Sequence, residues 1–347
     1  MHVRRQAGVR PERCGMDRYQ VFLRGGASIP AVGLGTFGSD RYGAPEVADA
    51  VRTGIALGYR LIDCASVYGN EPAIGEILQG TLRGGLPREE LFVVSKVWND
   101  MHGRGDVLRS CAQSLKDLRL DCLDLFFVHW PFPNIHPRGA APDYRNPSAR
   151  PYLHEEFMET WMQMERLQRA GYVRHIGTSN MTVPKLQLLL QDCTISPAAN
   201  EMELHPAFQQ TELLRFCLAR GIRPIGYSPL GSPSRPARDK TPQDIVDMED
   251  PAVVRIAAAR GIHPSAVCLK WAVRLGAVPI PFSVKPAQLE ANLHAAQEDP
   301  LTDGEMQEMA SADRGSRLIK GQVFLWESAK DWTDLWDVDG QITGSIK

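Results

Sequence analysis

Tyr59-Arg-Leu-Ile-Asp63 is a short apolar run, and a helical pattern follows it over residues 71–78. The same order returns at once, because Leu91-Phe-Val-Val-Ser95 precedes a helical pattern over residues 107–118. Short apolar runs between turn residues predict buried strands, and strands that alternate with helices predict parallel pairing through crossover helices. These two units therefore predict an α/β protein with a parallel sheet.

Six further strand candidates surround these two, each followed by a helical segment: 31–35, 123–128, 173–177, 198–202, 223–226 and 277–281. Eight such units predict a single (β/α)8 barrel of the TIM type, with long loops at its C-terminal rim. Gly25-Gly26, between Val21-Phe-Leu23 and Ile29, predicts an N-terminal β-hairpin over residues 18–28. We predict a disordered extension over residues 1–17 and one barrel domain over residues 18–347 that includes a C-terminal substrate loop.

The composition indicates a soluble protein with small-molecule partners. The 347 residues include 39 Lys and Arg against 41 Asp and Glu, a net charge of -2. Without a basic block, a nucleic-acid or anionic-membrane surface is excluded. No apolar run approaches the roughly 20 residues of a membrane span. The seven cysteines are scattered without a C-x-x-C pair, and no metal-ligand motif is present, which predicts reduced thiols, no metal and a cytoplasmic location.

A glycine motif near the N-terminus points to a different fold. Gly33-Leu-Gly-Thr-Phe-Gly38 matches G-x-G-x-x-G, and Asp63 ends the next strand candidate, where a dinucleotide-binding domain places its ribose acid. In that fold the third glycine lies inside a helix, whereas Ser39-Asp-Arg-Tyr-Gly-Ala-Pro45 delays the helix until Pro45. The motif lacks its structural context, so a two-domain dehydrogenase is disfavoured.

Four polar residues lie at or just after neighbouring strand candidates. Asp63 ends one strand, and Tyr68 lies in the loop that follows it. Lys96 and His129 lie at the ends of the next two strands. Each residue alone also fits a structural role, as a helix cap, an edge aromatic, a surface charge or a core imidazole. At one rim of a barrel all four converge, so the set is a candidate for catalysis.

Together these side chains predict a device that delivers a proton. An ammonium group beside a phenol stabilises the phenolate, so we expect Lys96 to lower the pKa of Tyr68. A buried lysine keeps its charge only beside a carboxylate, which Asp63 supplies. A neutral His129 then orients a carbonyl oxygen towards the phenol.

The set resembles the catalytic tetrad of the aldo-keto reductase superfamily, and the stretch from Gly58 to Gly75 is similar to a family signature. The resemblance runs from about Tyr19 to the C-terminus. It implies a (β/α)8 barrel and a metal-free oxidoreductase that reduces aldehydes or ketones, with aldoses or small aldehydes as leading substrates. It also implies a nicotinamide cofactor and a monomer or weak dimer. The catalytic residues implied are Asp63, Tyr68 as proton donor, Lys96 and His129.

The resemblance implies a cofactor site across the strand ends. Gly177-Thr-Ser-Asn180 is similar to the segment that holds the nicotinamide carboxamide. Gly226-Tyr-Ser-Pro-Leu-Gly-Ser232 is similar to the segment that stacks on the nicotinamide and lines the pyrophosphate. NADP(H) is favoured, with NAD(H) or dual use left open, and the residues implied are Gly35, Thr36, Phe37, Asp63, Ser179, Asn180, Glu201, Tyr227, Ser228, Leu230, Ser232, Phe282, Ser283, Val284, Lys285, Gln288 and Asn292.

Two places depart from the family pattern. Glu201 replaces a glutamine that donates a hydrogen bond to the cofactor, and an ionised carboxylate can only accept one. Phe282 and Gln288 replace two cations that hold the 2′-phosphate in NADPH-using members. A phosphate site still remains at the helix that begins at Pro286, and the polar residues left around it are Ser283, Lys285 and Asn292.

The residues implied for the substrate pocket are Trp98, Trp130 and His129. The aromatic tail supplies further candidates, although for Trp332 and Trp336 a hydrophobic seal against the barrel is favoured over substrate contact. Loop arginines leave an acidic or phosphorylated substrate open, namely Arg138, Arg145, Arg150, Arg235 and Arg238. The alternative function is a nucleotide-binding barrel with a redox-sensing or structural role and no significant turnover.

Overall fold

The computed structural model describes residues 20–39, 41–132, 144–233, 235–236 and 240–343, and the predicted extension over residues 1–17 lies outside them. The strands are β1 Gln20–Phe22, β2 Ser28–Pro30, β3 Gly33–Gly35, β4 Leu61–Asp63, β5 Phe92–Val97, β6 Leu123–Val128, β7 Val173–Ser179, β8 Ala199–Glu203, β9 Arg223–Tyr227 and β10 Val278–Pro279. The helices are α1 Ala44–Leu57, α2 Glu71–Arg83, α3 Asp106–Leu118, α4 His154–Arg169, α5 Val183–Asp192, α6 Thr211–Ala219, α7 Pro251–Arg260, α8 Pro264–Arg274, α9 Pro286–Gln297 and α10 Asp303–Met309.

Strands β3 to β10 form one parallel sheet whose spatial order is the chain order. A helix connects each strand to the next, and two helices, α7 and α8, lie between β9 and β10. The backbone N–H of Gly35 donates to the carbonyl of Pro281 at 3.1 Å, which joins the first strand of the sheet to the last. The predicted (β/α)8 barrel is confirmed. The glycine motif belongs to β3 and its loop, since α1 begins only at Ala44.

The predicted N-terminal hairpin is formed by β1 and β2, which pair antiparallel. Its turn contains Gly25 and Gly26 at φ +93° and +88°, a left-handed region that glycine adopts without a Cβ clash. Leu23 and Ile29 are buried against residues of the barrel interior such as Leu61. The hairpin therefore plugs the end of the barrel at which the strands begin.

The period-two alternation of β5 and β6 decides which side chains face the barrel interior. Phe92 and Val94 pack with Leu125 and Phe127 in one cluster, so these four positions point inward. Residues of the opposite parity pack against the surrounding helices, as parallel strands covered on both faces do. Continuing the inward parity by one step places Lys96, and the residue after β6, His129, at the top of the interior.

Among the described residues, no single helix has the length and apolar character of a membrane span. Of the helices in the described ranges, α7 and α8 taken together have that length and apolar character, and the pair is bent by 101°. The six described cysteines are free thiols.

The packing of α2 on α3 depends on a glycine. A Cβ on Gly75 would lie 2.0 Å from the backbone oxygen of Asp117, whereas a Cβ on Gly80 of the same helix would meet nothing within 4 Å. Backbone atoms cannot rotate away, so Gly75→Ala must force the two helices apart.

We predict that Gly75→Ala lowers the free energy of unfolding by about 1–3 kcal/mol, measured by urea denaturation. Gly80→Ala is the control and should raise it by about 0.5–1 kcal/mol, because alanine loses less backbone entropy in a helix. Equal effects of the two substitutions would contradict this account of the interface.

Candidate active site

The four predicted catalytic residues lie together where β4, β5 and β6 end. Asp63 is the last residue of β4, and Lys96 lies in β5 beside it. Tyr68 ends the 3₁₀ turn Ser66–Tyr68 that follows β4. His129 comes directly after β6, and its N–H donates to the carbonyl of Val97 at 3.1 Å, which extends the pairing of the strands. The topology thus brings all four to one rim of the barrel.

The ammonium group of Lys96 is fully buried at this rim. Nζ lies 2.8 and 2.6 Å from the two carboxylate oxygens of Asp63 and 3.2 Å from the carbonyl of Cys64. Oε2 of Glu201 lies 3.4 Å from the same nitrogen. Burial lowers the pKa of Lys96, but the carboxyl groups of Asp63 and Glu201 outweigh it and hold that pKa above its ordinary value. Lys96 therefore stays charged at neutral pH.

The phenol of Tyr68 faces this charge. Lys96 Nζ lies 5.4 Å from the centre of the Tyr68 ring. Burial raises the pKa of Tyr68, and the nearby Lys96 charge opposes that rise without cancelling it. The expectation that the pKa of Tyr68 is lowered overall is therefore wrong for this structure. Loss of water destabilises the phenolate more than the Lys96 ammonium group, which also interacts with two carboxyls, stabilises it. Tyr68 holds its proton at neutral pH.

His129 packs between two aromatic rings. Its ring centre lies 5.8 Å from that of Tyr68 and 5.0 Å from that of Trp98, both edge-on. Burial, the Lys96 charge and His102 hold the pKa of His129 well below its ordinary value, so the imidazole is neutral, as predicted. Within the described part of the chain its Nδ1 atom has no hydrogen-bond partner.

Asn180 connects the ends of four strands. Its side-chain amide donates to the carbonyl of His129 at 2.9 Å and accepts from the Tyr227 hydroxyl at 2.7 Å. The same amide donates to the hydroxyl of Ser179 at 3.1 Å, and its backbone N–H donates to the carbonyl of Glu201 at 2.8 Å. The candidate carboxamide segment is thus built into the rim beside the four catalytic candidates.

The residues that follow β3, the first strand of the barrel, are also fixed to this rim by hydrogen bonds. The hydroxyl of Thr36, just past Gly35, donates to the carbonyl of Asp63 at 2.8 Å, and Asn70 donates to the carbonyl of Thr36 at 2.8 Å. Phe37 is 40% exposed, and its ring centre lies 5.2 Å from that of Tyr68. The residues after β3 therefore lie beside Asp63 and Tyr68, two of the four candidate catalytic residues.

The loop after β9 contains most of the candidate pyrophosphate segment. Ser228 and Ser232 have φ values of +53° and +39°, and the Ser232 hydroxyl donates to that of Ser228 at 2.7 Å. Gly231 is required there, since a Cβ would lie 2.0 Å from a carboxylate oxygen of Asp247. Beside Leu230 the loop borders a cavity of about 140 Å³.

The segment after β10 lies next to β3. Ser283 accepts the backbone N–H of Lys285 at 3.0 Å and donates to the side-chain oxygen of Gln288 at 2.7 Å. Phe282 stands edge-on to Tyr42, with ring centres 5.9 Å apart. Lys285 is exposed at the N-cap of α9, and further along that helix Asn292 is buried. Val284 lies between Ser283 and Lys285 in the chain.

The predicted pocket tryptophans meet the tail of the chain. The ring of Phe324 lies 4.7 Å from Trp130 and 6.0 Å from Trp98, centre to centre. Trp336 is buried against Trp130 at 5.7 Å, and the guanidinium of Arg317 covers its ring at 3.4 Å. Trp336 therefore packs as the predicted seal.

Two of the five arginines proposed for an acidic substrate are engaged in ion pairs within the chain. Arg150 pairs with Glu156 at 2.7 Å, and buried Arg235 pairs with Asp244. Arg145 is exposed, and Arg138 and Arg238 lie outside the described residues. The pairs of Arg150 and Arg235 argue against a phosphate-binding role for these two side chains.

Sequence reasoning missed two buried clusters around the rim. His205 bonds Asp247 at 2.9 Å and Glu203 at 3.0 Å, and Glu203 accepts the N–H of Leu318 at 2.7 Å, which ties the tail to β8. Glu71 accepts the hydroxyls of two serines, Ser95 at 2.6 Å and Ser114 at 2.9 Å. Partners so far apart in the chain leave no periodic signal in the sequence. The available signal for Glu71 was its place in the stretch from Gly58 to Gly75 that resembles a family signature.

In the described ranges no group of three or more His, Cys, Asp or Glu side chains could hold a metal ion.

Comparison with known proteins agrees with this geometry. The model of the Aldo/keto reductase family matches residues 31–314. An aldo/keto reductase of Synechocystis sp. is 40% identical over 318 residues, 91% of this chain and 95% of that protein. Aldo-keto reductase family 1 member A1 of Homo sapiens is 36% identical over 302 residues, 86% of this chain and 90% of that protein. The crystal structure of a Bombyx mori aldo-keto reductase in complex with NADP matches with a TM-score of 0.76 and 30% identity, covering 86% of this chain and 94% of that one.

The barrel and its rim thus define an oxidoreductase built without a Rossmann domain. The chain belongs to the aldo/keto reductase family, which confirms the resemblance inferred from its motifs. Carbonyl reduction is the chemistry of that family.

The tail is held on the barrel by a buried ion pair. Lys185 of α5 donates to a carboxylate oxygen of Asp337 at 2.5 Å and to the carbonyl of Leu335 at 3.0 Å. Both charged side chains are 1% exposed, so either one alone would be an unpaired buried charge.

We predict that Asp337→Asn lowers the free energy of unfolding by about 3 kcal/mol in thermal or urea denaturation, because Lys185 is left without its counter-ion. Asp339→Asn, at an exposed position two residues on, is the control and should change it by less than about 0.5 kcal/mol. Similar losses in both variants would show that the pair does not anchor the tail.

Proposed function

We propose that the chain reduces aldehydes or ketones to alcohols with NADPH, with Tyr68 as the proton donor. The observation that carries the proposal is the contact of Lys96 with Asp63 at 2.6 and 2.8 Å beside the protonated Tyr68 and the neutral His129. A structural ion pair does not need a phenol and an imidazole beside a buried ammonium group. Transfer of a proton to a carbonyl oxygen uses all three: the phenol donates the proton, the ammonium stabilises the phenolate, and the imidazole orients the carbonyl.

The described residues fit a nicotinamide dinucleotide laid across the strand ends. Oε2 of Glu201 has no hydrogen-bond partner among the described residues, and the Tyr227 ring is only partly buried at the end of β9. A flat aromatic cofactor can stack on that ring, and an amide group can bond the carboxyl group of Glu201. The loop from Ser228 to Ser232 follows β9, which is the neighbour of β10 in the sheet, and α9 is the helix that follows β10. When bound, the reduced cofactor supplies the hydride.

Each catalytic residue has one task at a stated atom. Tyr68 holds a proton on its hydroxyl and releases it to the substrate oxygen. The Lys96 charge stabilises the phenolate that remains, and Asp63 keeps that charge in place. His129, neutral, orients the carbonyl oxygen through a ring N–H. Trp98, packed on His129, limits the access of water.

The substrate side favours small or aromatic carbonyl compounds. Trp98, Trp130 and Phe324 provide apolar walls over the rim. Arg150 and Arg235 form ion pairs with carboxylates of the chain, so their charges are not available to a substrate between these walls. Aldoses and small aldehydes are the substrate class we propose, and the chain would act as a monomer or weak dimer.

We predict that Tyr68→Phe lowers kcat/KM for aldehyde reduction by about 10²–10⁴-fold, followed as loss of NADPH absorbance, because the proton donor is removed. Nucleotide affinity, measured by quenching of tryptophan fluorescence, should stay within about threefold of wild type, since no cofactor group depends on the phenol proton. The exposed Tyr172→Phe is the control and should leave both values unchanged. A wild-type protein that binds nucleotide but reduces no carbonyl compound would instead support the redox-sensing or structural role.

Cofactor choice depends on Lys285, the described cation nearest the start of α9. We predict that Lys285→Ala weakens NADPH binding by about tenfold and leaves NADH binding unchanged, because only NADPH carries the 2′-phosphate. The control is Lys116→Ala, an exposed residue of α3. Equal weakening of both cofactors would place the phosphate away from Lys285.

A further inference from the structure

Lys96 meets two carboxyl groups, and the second belongs to Glu201, the residue that replaces a glutamine of the family pattern. Asp63 contacts Nζ with both oxygens, and Oε2 of Glu201 lies 3.4 Å away. The exposed fraction of the three side chains is 0% for Lys96, 4% for Asp63 and 3% for Glu201. One ammonium group therefore faces two carboxyls in a place that water hardly reaches.

The charges of this group do not balance if both carboxyls are ionised. Two carboxylates and one ammonium leave one negative charge in a buried site, and a buried unpaired charge is costly unless the group takes up a proton. Titratable groups face Glu201 from every side that packs on it: Asp63 from β4, Tyr68 from the following loop, Lys96 from β5 and Tyr227 from β9. Among these described neighbours Lys96 is the one cation. The proton must therefore be shared within the pair of carboxyls.

The geometry decides which carboxyl takes it. Asp63 receives two short bonds from Lys96 and is the better-stabilised anion. Glu201 is farther from Nζ, and its Oε2 has no hydrogen-bond partner among the described residues. Glu201 is therefore the carboxyl that carries the proton.

We propose that Glu201 is a positioning residue that acts as a neutral carboxylic acid beside Lys96, and that its ionisation at alkaline pH makes Tyr68 a weaker proton donor. The proposal rests on the proposed reductase function and adds a pH control to it that a glutamine at position 201 does not have.

The direction of the effect follows from the charges. Burial and the neighbouring Asp63 raise the pKa of Glu201 to about 8, so the group is mostly protonated at neutral pH and ionised above that value. The negative charge then formed raises the pKa of Tyr68 further and opposes negative charge on the substrate oxygen. Reduction should fall as Glu201 loses its proton. The pKa values of Tyr68 and Lys96 lie above this range, so neither group mimics the effect.

The test compares pH profiles of wild type, Glu201→Gln and the control Glu165→Gln, a buried carboxyl held by backbone N–H groups of Thr194 and Ile195 away from the rim. We expect kcat/KM for wild type to fall by about 100-fold from about pH 7 to about pH 10, as one proton is lost from a group that titrates near 8. The same ratio should be within about threefold of unity for Glu201→Gln. Glu165→Gln should keep the wild-type ratio. Equal ratios in wild type and Glu201→Gln overturn the proposal.

Two measurements need no turnover. Infrared difference spectra of wild type should show a protonated-carboxyl C=O band that disappears between about pH 7 and about pH 9 and is absent from Glu201→Gln. Tyrosinate absorbance should show Tyr68, taken as the difference between wild type and Tyr68→Phe, ionising at lower pH in Glu201→Gln than in wild type. A wild-type protein without the band overturns the proposal even if reduction is fast. If no carbonyl compound is reduced but both spectra behave as expected, the reductase function fails while the buried acid stands.

Discussion

Lys96 lies with its ammonium group 2.6 and 2.8 Å from the two oxygens of Asp63, and neither side chain is more than 4% exposed. A lysine in such a place would lose its proton without that carboxylate. The parity of β5 sets the direction in which Lys96 points, and β4 ends where its partner is needed. Tyr68 and His129 are then arranged around a charge that cannot move.

The rest of the barrel holds this pair dry and in register. Gly35 lets the first and last strands approach closely, because a Cβ there would lie 2.9 Å from the carbonyl oxygen of Ile280. The hairpin closes one end of the interior, while the aromatic tail, held by Asp337, packs over part of the other. Because water hardly reaches the rim, electrostatic interactions between its charged groups are stronger there than in solvent. The charge state of a second carboxyl at position 201 therefore affects Lys96 and Tyr68.

The fold, and the meeting of the four catalytic candidates at one rim, could be predicted from the sequence because both depend on local patterns. Apolar runs gave the strands, and polar residues at strand ends meet at one rim in any parallel barrel. The break between α7 and α8 also has a local cause, a left-handed Gly261 followed by Pro264, but it changes no topology. The depth of burial has no such pattern, so the pKa of Tyr68 was expected in the wrong direction. The pair of Lys185 and Asp337 spans 152 residues of chain and could be found only in three dimensions.

The most direct test of the central claim is a double-mutant cycle on Lys96 and Asp63, with reduction kcat/KM as the readout. If Asp63 acts by holding the charge of Lys96, Asp63→Asn alone lowers kcat/KM by about tenfold or more. In a Lys96→Met background the same substitution should then lower it by less than about threefold further, because the charge it served is already gone. Losses that multiply, as they do for independent residues, would contradict the account.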